Sequence, residues 1–311
     1  MDRIQRALDL AKVQVPRVPA PAGGSLVPPG DSLAPAGDSP VPAGDSLVGR
    51  SVTGRSVAGR SVAEDHRSER VALNREFALG AVESIARLPV NWAELKEKRI
   101  VANDNAHLAG HAYRMLRTQV LQRARSHGLT TLGVVSAING EGKTLTAINL
   151  ALSLAAEPNQ TVLLLDLDLR RPTVARTLGL AAERGLESWF GGDEPTRNVC
   201  YGIEGVERLH VLPTMTPVVG SSEVLAGVAT RRLFNELKGR DPGRLLIVDL
   251  PPVLLSDDAL TIAPLLDAVV LVVNERRTKR EDVIRVVELL GNTRIVGTVL
   301  NRSSESEQRA Y

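Results

Sequence analysis

A doubly wound α/β domain with a mostly parallel sheet is predicted by three observations. From about residue 106 onward, runs of Val, Leu and Ile alternate with helix-like stretches. The runs are near-continuously apolar, as strands buried on both faces are. Three of them end in polar groups: TLGVVSA (131–137) enters a glycine-rich loop, and TVLLLDLD (161–168) and RLLIVDL (244–250) each carry aspartate near the end. Doubly wound sheets place their ligands beyond the carboxyl ends of strands, where all three features fall.

In chain order, residues 1–15 predict a short amphipathic helix, with Ile4, Ala7, Leu8 and Ala11 at helical spacing among charges. Such a helix is too short to be stable alone. Residues 16–68 repeat PAGDS-like and GRSV-like units and predict a disordered N-terminal linker. Residues 69–105 are transitional, with a helix expected over 70–87, before Pro89, and no chemistry assigned. The domain itself is expected over 106–302. Helices are expected over 107–127, 142–156, 222–238 and 280–290. Strands are expected over 131–137, 161–168, 208–213, 244–250, 267–274 and 295–301. Residues 303–311 predict a flexible tail.

Bulk properties exclude several classes. A net charge of +2, 3% aromatic residues and no long block of like charge argue against a nucleic-acid partner. The single cysteine, Cys200, excludes an internal disulfide and reads as a small hydrophobe. No apolar run approaches the ~20 residues of a bilayer span. The charged opening MDRIQRALDLAK is unlike a signal peptide. The expectation is a cytoplasmic protein, membrane-associated through a partner.

Ala137, Ile138, Asn139, Gly140, Glu141, Gly142, Lys143 and Thr144 fit the phosphate-loop pattern, with alanine in the first place and Leu145 following. The glycines let backbone N–H groups point at phosphate oxygens, and the helix that starts there adds its positive end. Lys143 is expected on the β- and γ-phosphates and the Thr144 hydroxyl on magnesium, so ATP and Mg2+ are the implied ligands. The pattern predicts a P-loop NTPase. Asp249, at a strand end before Pro251 and Pro252, is a second metal-side carboxylate. Asp166 and Asp168 alternate and are expected on one face of their strand end. There one can support the metal while the other orients or deprotonates an attacking hydroxyl.

With DLDLRRP after an aliphatic run, the sequence resembles the bacterial tyrosine kinases, the P-loop autokinases of capsule and exopolysaccharide export. HAYRMLRTQ (111–119), SSEVL (221–225), VDLPPV and VGTVLNR extend the resemblance over most of 106–302, and the first twelve residues are similar to the opening of exosortase-associated members. The resemblance implies ATP- and magnesium-dependent phosphorylation of tyrosines, chiefly in the proteins' own tails and between subunits. It implies pairing with a membrane polysaccharide co-polymerase of the chain-length determinant type, and it allows a homo-oligomer. It places Lys143, Asp166 and Asp168 in catalysis and Thr144, Asp166 and Asp249 around the metal.

The sequence departs from the family in three respects, one of them the turn before SSEVL, where PTMTPVVG (213–220) stands in place of the expected proline-rich stretch. The ring-forming E-x-x-R-x-x-R motif stands here as His111, Arg114 and Arg117, and histidine cannot replace the glutamate's bridge. The usual tyrosine-rich tail has only Tyr311, the acceptor candidate; the other tyrosines are Tyr113 and Tyr201. Two alternatives stay open. One is an ATPase switch of the partition and division-site type, whose loop normally carries an extra lysine where Ile138 stands. The other is a non-catalytic ATP-binding regulator of a co-polymerase.

Overall fold

A computed structural model describes residues 85–104, 107–192, 194–238 and 243–303. The opening helix, the repeat linker and Tyr311 lie outside them.

Eight strands form one sheet: β1 Arg87–Leu88, β2 Thr131–Ser136, β3 Thr161–Asp166, β4 Tyr201–Ile203, β5 Val206–Leu212, β6 Arg244–Asp249, β7 Ala268–Asn274 and β8 Ile295–Asn301. Their order is β1-β4-β5-β3-β6-β2-β7-β8. All neighbours are parallel except β4 and β5, joined by a tight turn at Gly205 (φ +79°). The register sets Asp166 opposite Asp249 and Asp249 opposite Val134, so the ends of β3, β6 and β2 lie side by side.

The central strands β2, β3, β6 and β7 are largely apolar because both faces are covered. Leu132, Val134, Leu164 and Ile247 pack into one core with the helices α2 (Leu108–His127) and α3 (Lys143–Ala155). Val135, Leu163, Leu165 and Val248 point the other way. They pack with α5 (Leu186–Phe190), α7 (Val228–Lys238) and α9 (Arg280–Leu290). α3 is buried from Thr146 to Ala155, which is why its sequence is apolar on nearly every side. α2 is capped at its start by His107 Nδ1, which accepts from Ala109 N (3.1 Å), and ends on Gly128 at φ +63°.

The structure differs from expectation at two places. The sheet begins at Arg87, not within 106–302. Arg87, expected at the end of a helix, lies in β1, parallel to β4, and donates from Nη1 to the carbonyls of Ile203 and Val206 (3.3 Å each). Helix α1 (Trp92–Glu97) follows, capped by Asn91, and buries Leu95; Ile100 and Ala102 join the same core. The backbone N–H groups of Val101 and Ala102 donate to Asn149 Oδ1 of α3 (2.8 and 3.0 Å). A two-residue edge strand and a six-residue helix carry no sustained period, so the sequence did not reveal them. The helix expected over 222–238 is two, α6 (Ser221–Ala226) and α7, because Gly227 turns extended (φ −67°, ψ 164°) between them. Two further helices, α4 (Val174–Leu178) and α8 (Asp258–Ile262), also flank the site.

Candidate active site

The site grows from the ends of β2, β3 and β6. After β2 the chain passes through Ala137, Ile138 and Asn139 and turns at Gly140 (φ +78°) and Gly142 (φ +98°), a region side chains rarely adopt. Lys143 and Thr144 open α3 directly after, and Leu145 follows half-buried. The Lys143 ammonium, 9% exposed, pairs with Asp168 Oδ2 at 2.8 Å and lies 3.5 Å from Asp249 Oδ1. The Thr144 hydroxyl donates to Asp249 Oδ2 at 2.6 Å.

Asp166 and Asp168 reach this cluster differently from the expected shared strand face. β3 ends at Asp166, so Asp168 already belongs to the turn. Asp166 is enclosed by backbone N–H groups: Oδ2 accepts from Thr173 (3.0 Å) and Val174 (2.9 Å), and Oδ1 from Asp168 (3.3 Å). Asp168 turns its Oδ2 to Lys143 instead.

Three buried carboxylates thus face one ammonium. Burial, reinforced by Asp249, pushes Asp166 well above the usual carboxylate range, against the Val174 N–H and Lys143. Burial also raises Asp249, though Lys143 and Thr144 oppose it. For Lys143 burial works against the charge, yet Asp249 and Asp168 outweigh it and hold the ammonium above its ordinary pKa. The cluster carries more negative charge than one lysine neutralises, which suits a divalent cation. Among the described residues no three His, Cys, Asp or Glu side chains gather as a metal cage. The donors present are the Thr144 hydroxyl and the Asp249 and Asp166 carboxylates. That set fits magnesium, which keeps waters and takes few carboxylates beside substrate phosphates.

The ParA family model, described as NUBPL iron-transfer P-loop NTPase, matches residues 129–309. The chain is 30% identical to the tyrosine-protein kinase CpsD of Streptococcus agalactiae serotype Ia over 178 residues, 56% of this chain and 75% of that one. It is 26% identical to the tyrosine-protein kinase YwqD of Bacillus subtilis, over 70% of this chain and 92% of the relative. The kinase domain of the Escherichia coli tyrosine kinase ETK superposes with a TM-score of 0.60 at 27% identity, covering 65% of this chain and 79% of that domain. The chain belongs to the bacterial tyrosine-protein kinases, on the ParA-type P-loop fold. It is a nucleotide-binding protein of that class.

Two supports of this kinase's site have roles that the sequence did not reveal, although Glu141 itself was read as part of the phosphate loop. Glu141, fully buried, accepts from Ile138 N through Oε2 (2.9 Å) and from the Thr278 hydroxyl through Oε1, tying the loop to the β7–α9 connection. Asn301 Nδ2 donates to the Glu141 carbonyl (2.8 Å), and a Cβ on Gly142 would stand 2.0 Å from that nitrogen. Gly142 therefore has no room for a side chain, apart from its positive φ. Arg170 bonds Ser221 (3.0 Å), Ser222 (2.9 Å), Asp257 (3.0 Å) and Asp258 (3.1 Å), fastening the segment after β3 to α6 and α8. Burial alone would raise Asp258, but Ser222, Arg170 and Ser221 hold it below the usual range. A buried acid glimpsed in LSDD or NGEG carries no local mark of such distant partners.

The kinase's oligomerisation candidates lie on α2. His111 is exposed, and Arg114 is half-buried. Arg117 is turned inward, paired with Glu157 (3.0 Å) and bonded to the Ser153 carbonyl (3.3 Å). Tyr201 lies in β4, 7% exposed, its hydroxyl within donating distance of the carbonyls of Arg184 (3.0 Å) and Asn198 (3.2 Å) and accepting from Arg184 N (3.2 Å). Tyr113 is half-buried against the α3 core, and burial raises its pKa. No helix among the described residues is long and apolar enough to cross a membrane.

Proposed function

We propose that this chain transfers the γ-phosphoryl group of ATP to tyrosine hydroxyls of its own kind and thereby regulates exopolysaccharide polymerisation and export. The observation that carries this is the convergence of Asp168 and Asp249 on Lys143, with Thr144 on Asp249, at three adjacent strand ends. When nucleotide enters, Lys143 leaves Asp168 for the β- and γ-phosphates. The freed Asp168 carboxylate accepts the tyrosine proton as the hydroxyl oxygen bonds to phosphorus and the bond to the β-phosphate oxygen breaks, releasing ADP. Asp168 suits that part better than Asp166, because its Oδ2 is released when Lys143 moves, whereas three backbone N–H groups hold Asp166 in place on the metal side. Thr144, Asp249 and Asp166 would hold magnesium, which when bound neutralises charge on the phosphates.

Tyr311 is the acceptor this reading favours, because Tyr201 is buried with its hydroxyl engaged and Tyr113 is packed. The proposed partner is a membrane polysaccharide co-polymerase. Its support is the 30% identity to part of the succinoglycan biosynthesis transport protein ExoP of Rhizobium meliloti, of which the match covers 23%. Membrane association would come through that partner. His111 and Arg114 would contribute to contacts between copies, with Arg117 held inside its own chain. Ile138 packs half-buried against the core, so the extra loop lysine of partition-type switches has no counterpart there.

Incubation of the full chain with γ-labelled ATP, followed by intact-mass and peptide analysis, tests this. Wild type should gain phosphotyrosine, and Lys143→Met should lower labelling at least about a hundredfold, as loss of a phosphate-stabilising group does. Label that survives this change, or that sits on serine, rejects the proposal.

A further inference from the structure

The β7–α9 connection, ERRTK (275–279), plays no part in the mechanism beyond Thr278. Its Arg277 lies over the phosphate loop. A Cβ on Gly140 would stand 2.9 Å from Arg277 Nη1 and 3.9 Å from Cζ. The N–H of Arg277 closes a turn on the Asn274 carbonyl (3.1 Å), and Thr278, next along, is bonded to Glu141, so the arginine is carried on an anchored loop. Among the described residues it has no carboxylate partner. At the same strand end Asn274, fully buried, leaves Nδ2 without a hydrogen-bond partner.

The sheet order says which part of a nucleotide comes here. Asp166, Asp168 and Asp249 stand at β3 and β6, on one side of the β2 loop, and mark the terminal phosphate. A nucleotide lying across that loop directs its nucleoside to the other side, toward β7 and β8, where Arg277 waits. A flat side chain there would stack on a purine, and no aromatic residue occurs between Phe234 and Ser303. A guanidinium is the other flat surface a protein offers to a base.

The geometry points to Arg277 as the stacking partner of the nucleotide's purine, an inference that rests on the nucleotide reading of the loop. It is a binding residue rather than a phosphate-transfer group, and it acts within its own chain.

Calorimetric titration of the full chain with ATP, ADP and inorganic tripolyphosphate separates the two ends of the ligand. Arg277→Ala should weaken ATP and ADP roughly tenfold, the scale of one base stack, and leave tripolyphosphate unchanged. Arg277→Lys, which keeps charge but not the plane, should behave like alanine. The melting temperature of the ligand-free variants should match wild type, since no ion pair is lost. An equal loss for tripolyphosphate, full recovery with lysine, or no loss for ATP would each overturn the assignment. Lys143→Met should instead weaken ATP and tripolyphosphate alike. A wild-type chain that binds neither ligand would reject the phosphate-loop reading itself, and the role of Arg277 with it.

Discussion

Lys143 shows how the ligand-free site stays folded. Four ionisable groups are packed where water scarcely reaches, a costly arrangement unless they neutralise one another. The Asp168 pair holds the ammonium in place until phosphate arrives, and backbone N–H groups hold Asp166. His210 has no such compensation. It is 2% exposed in β5 with Nδ1 unpaired, and burial, aided by Arg87 and Arg244, lowers its pKa to about 4. Its unfolded value is near 6.5, so between the two the unfolded chain binds the extra proton and acid weakens the fold. From pH 6 to pH 4.5 this group should cost about 2 kcal/mol. Denaturant unfolding at both pH values should show that loss in wild type and a loss smaller by about that amount in His210→Gln. Equal losses in the two proteins would mean that His210 is not held neutral.

Among the elements, β2, the loop and α3 were legible because the phosphate loop is local: eight consecutive residues specify a strand end, a turn and a helix start. β3 and β6 were legible as apolar runs closed by aspartate. The parting of Asp166 from Asp168 was not, because the strand stops at Asp166, two residues short of the expected end, and Thr173 and Val174, far along the turn, capture the first carboxylate. The 87–102 segment was missed for a related reason. Its anchors are dispersed: Leu95 and Ile100 in the core, Asn149 Oδ1 as the acceptor for two of its backbone N–H groups. Leu95 is 1% exposed, and Leu95→Ala should cost about 2–5 kcal/mol through lost burial and the cavity left behind. Thermal unfolding should therefore fall by several degrees in one cooperative step. A variant melting within a degree of wild type would show that α1 is an appendage rather than part of the domain.

At the scale of the whole molecule, the open question is which copy phosphorylates which. β8 ends at Asn301, whose side chain touches the phosphate loop, so Arg302 follows at the loop's own rim. Asp168 follows β3, about 19 Å away at four strand spacings. Nine residues beyond Arg302 can extend ~30 Å, so length alone permits a chain to reach its own site. The direct route, however, crosses β2, where the nucleotide would lie, and passes Arg277 above the loop. Transfer from another copy would need no passage over a chain's own occupied loop, so transfer between chains is the expected outcome. Two variants of distinguishable mass separate the possibilities. Tyr311→Phe retains the machinery without its proposed acceptor, and Lys143→Met retains the acceptor without the machinery. Mixed with ATP, the Lys143→Met chain should gain one phosphate on Tyr311, at a rate rising with the concentration of Tyr311→Phe. Should the mixture stay unlabelled while wild type labels at a rate independent of its concentration, each chain phosphorylates itself, and the tail must pass over the occupied loop.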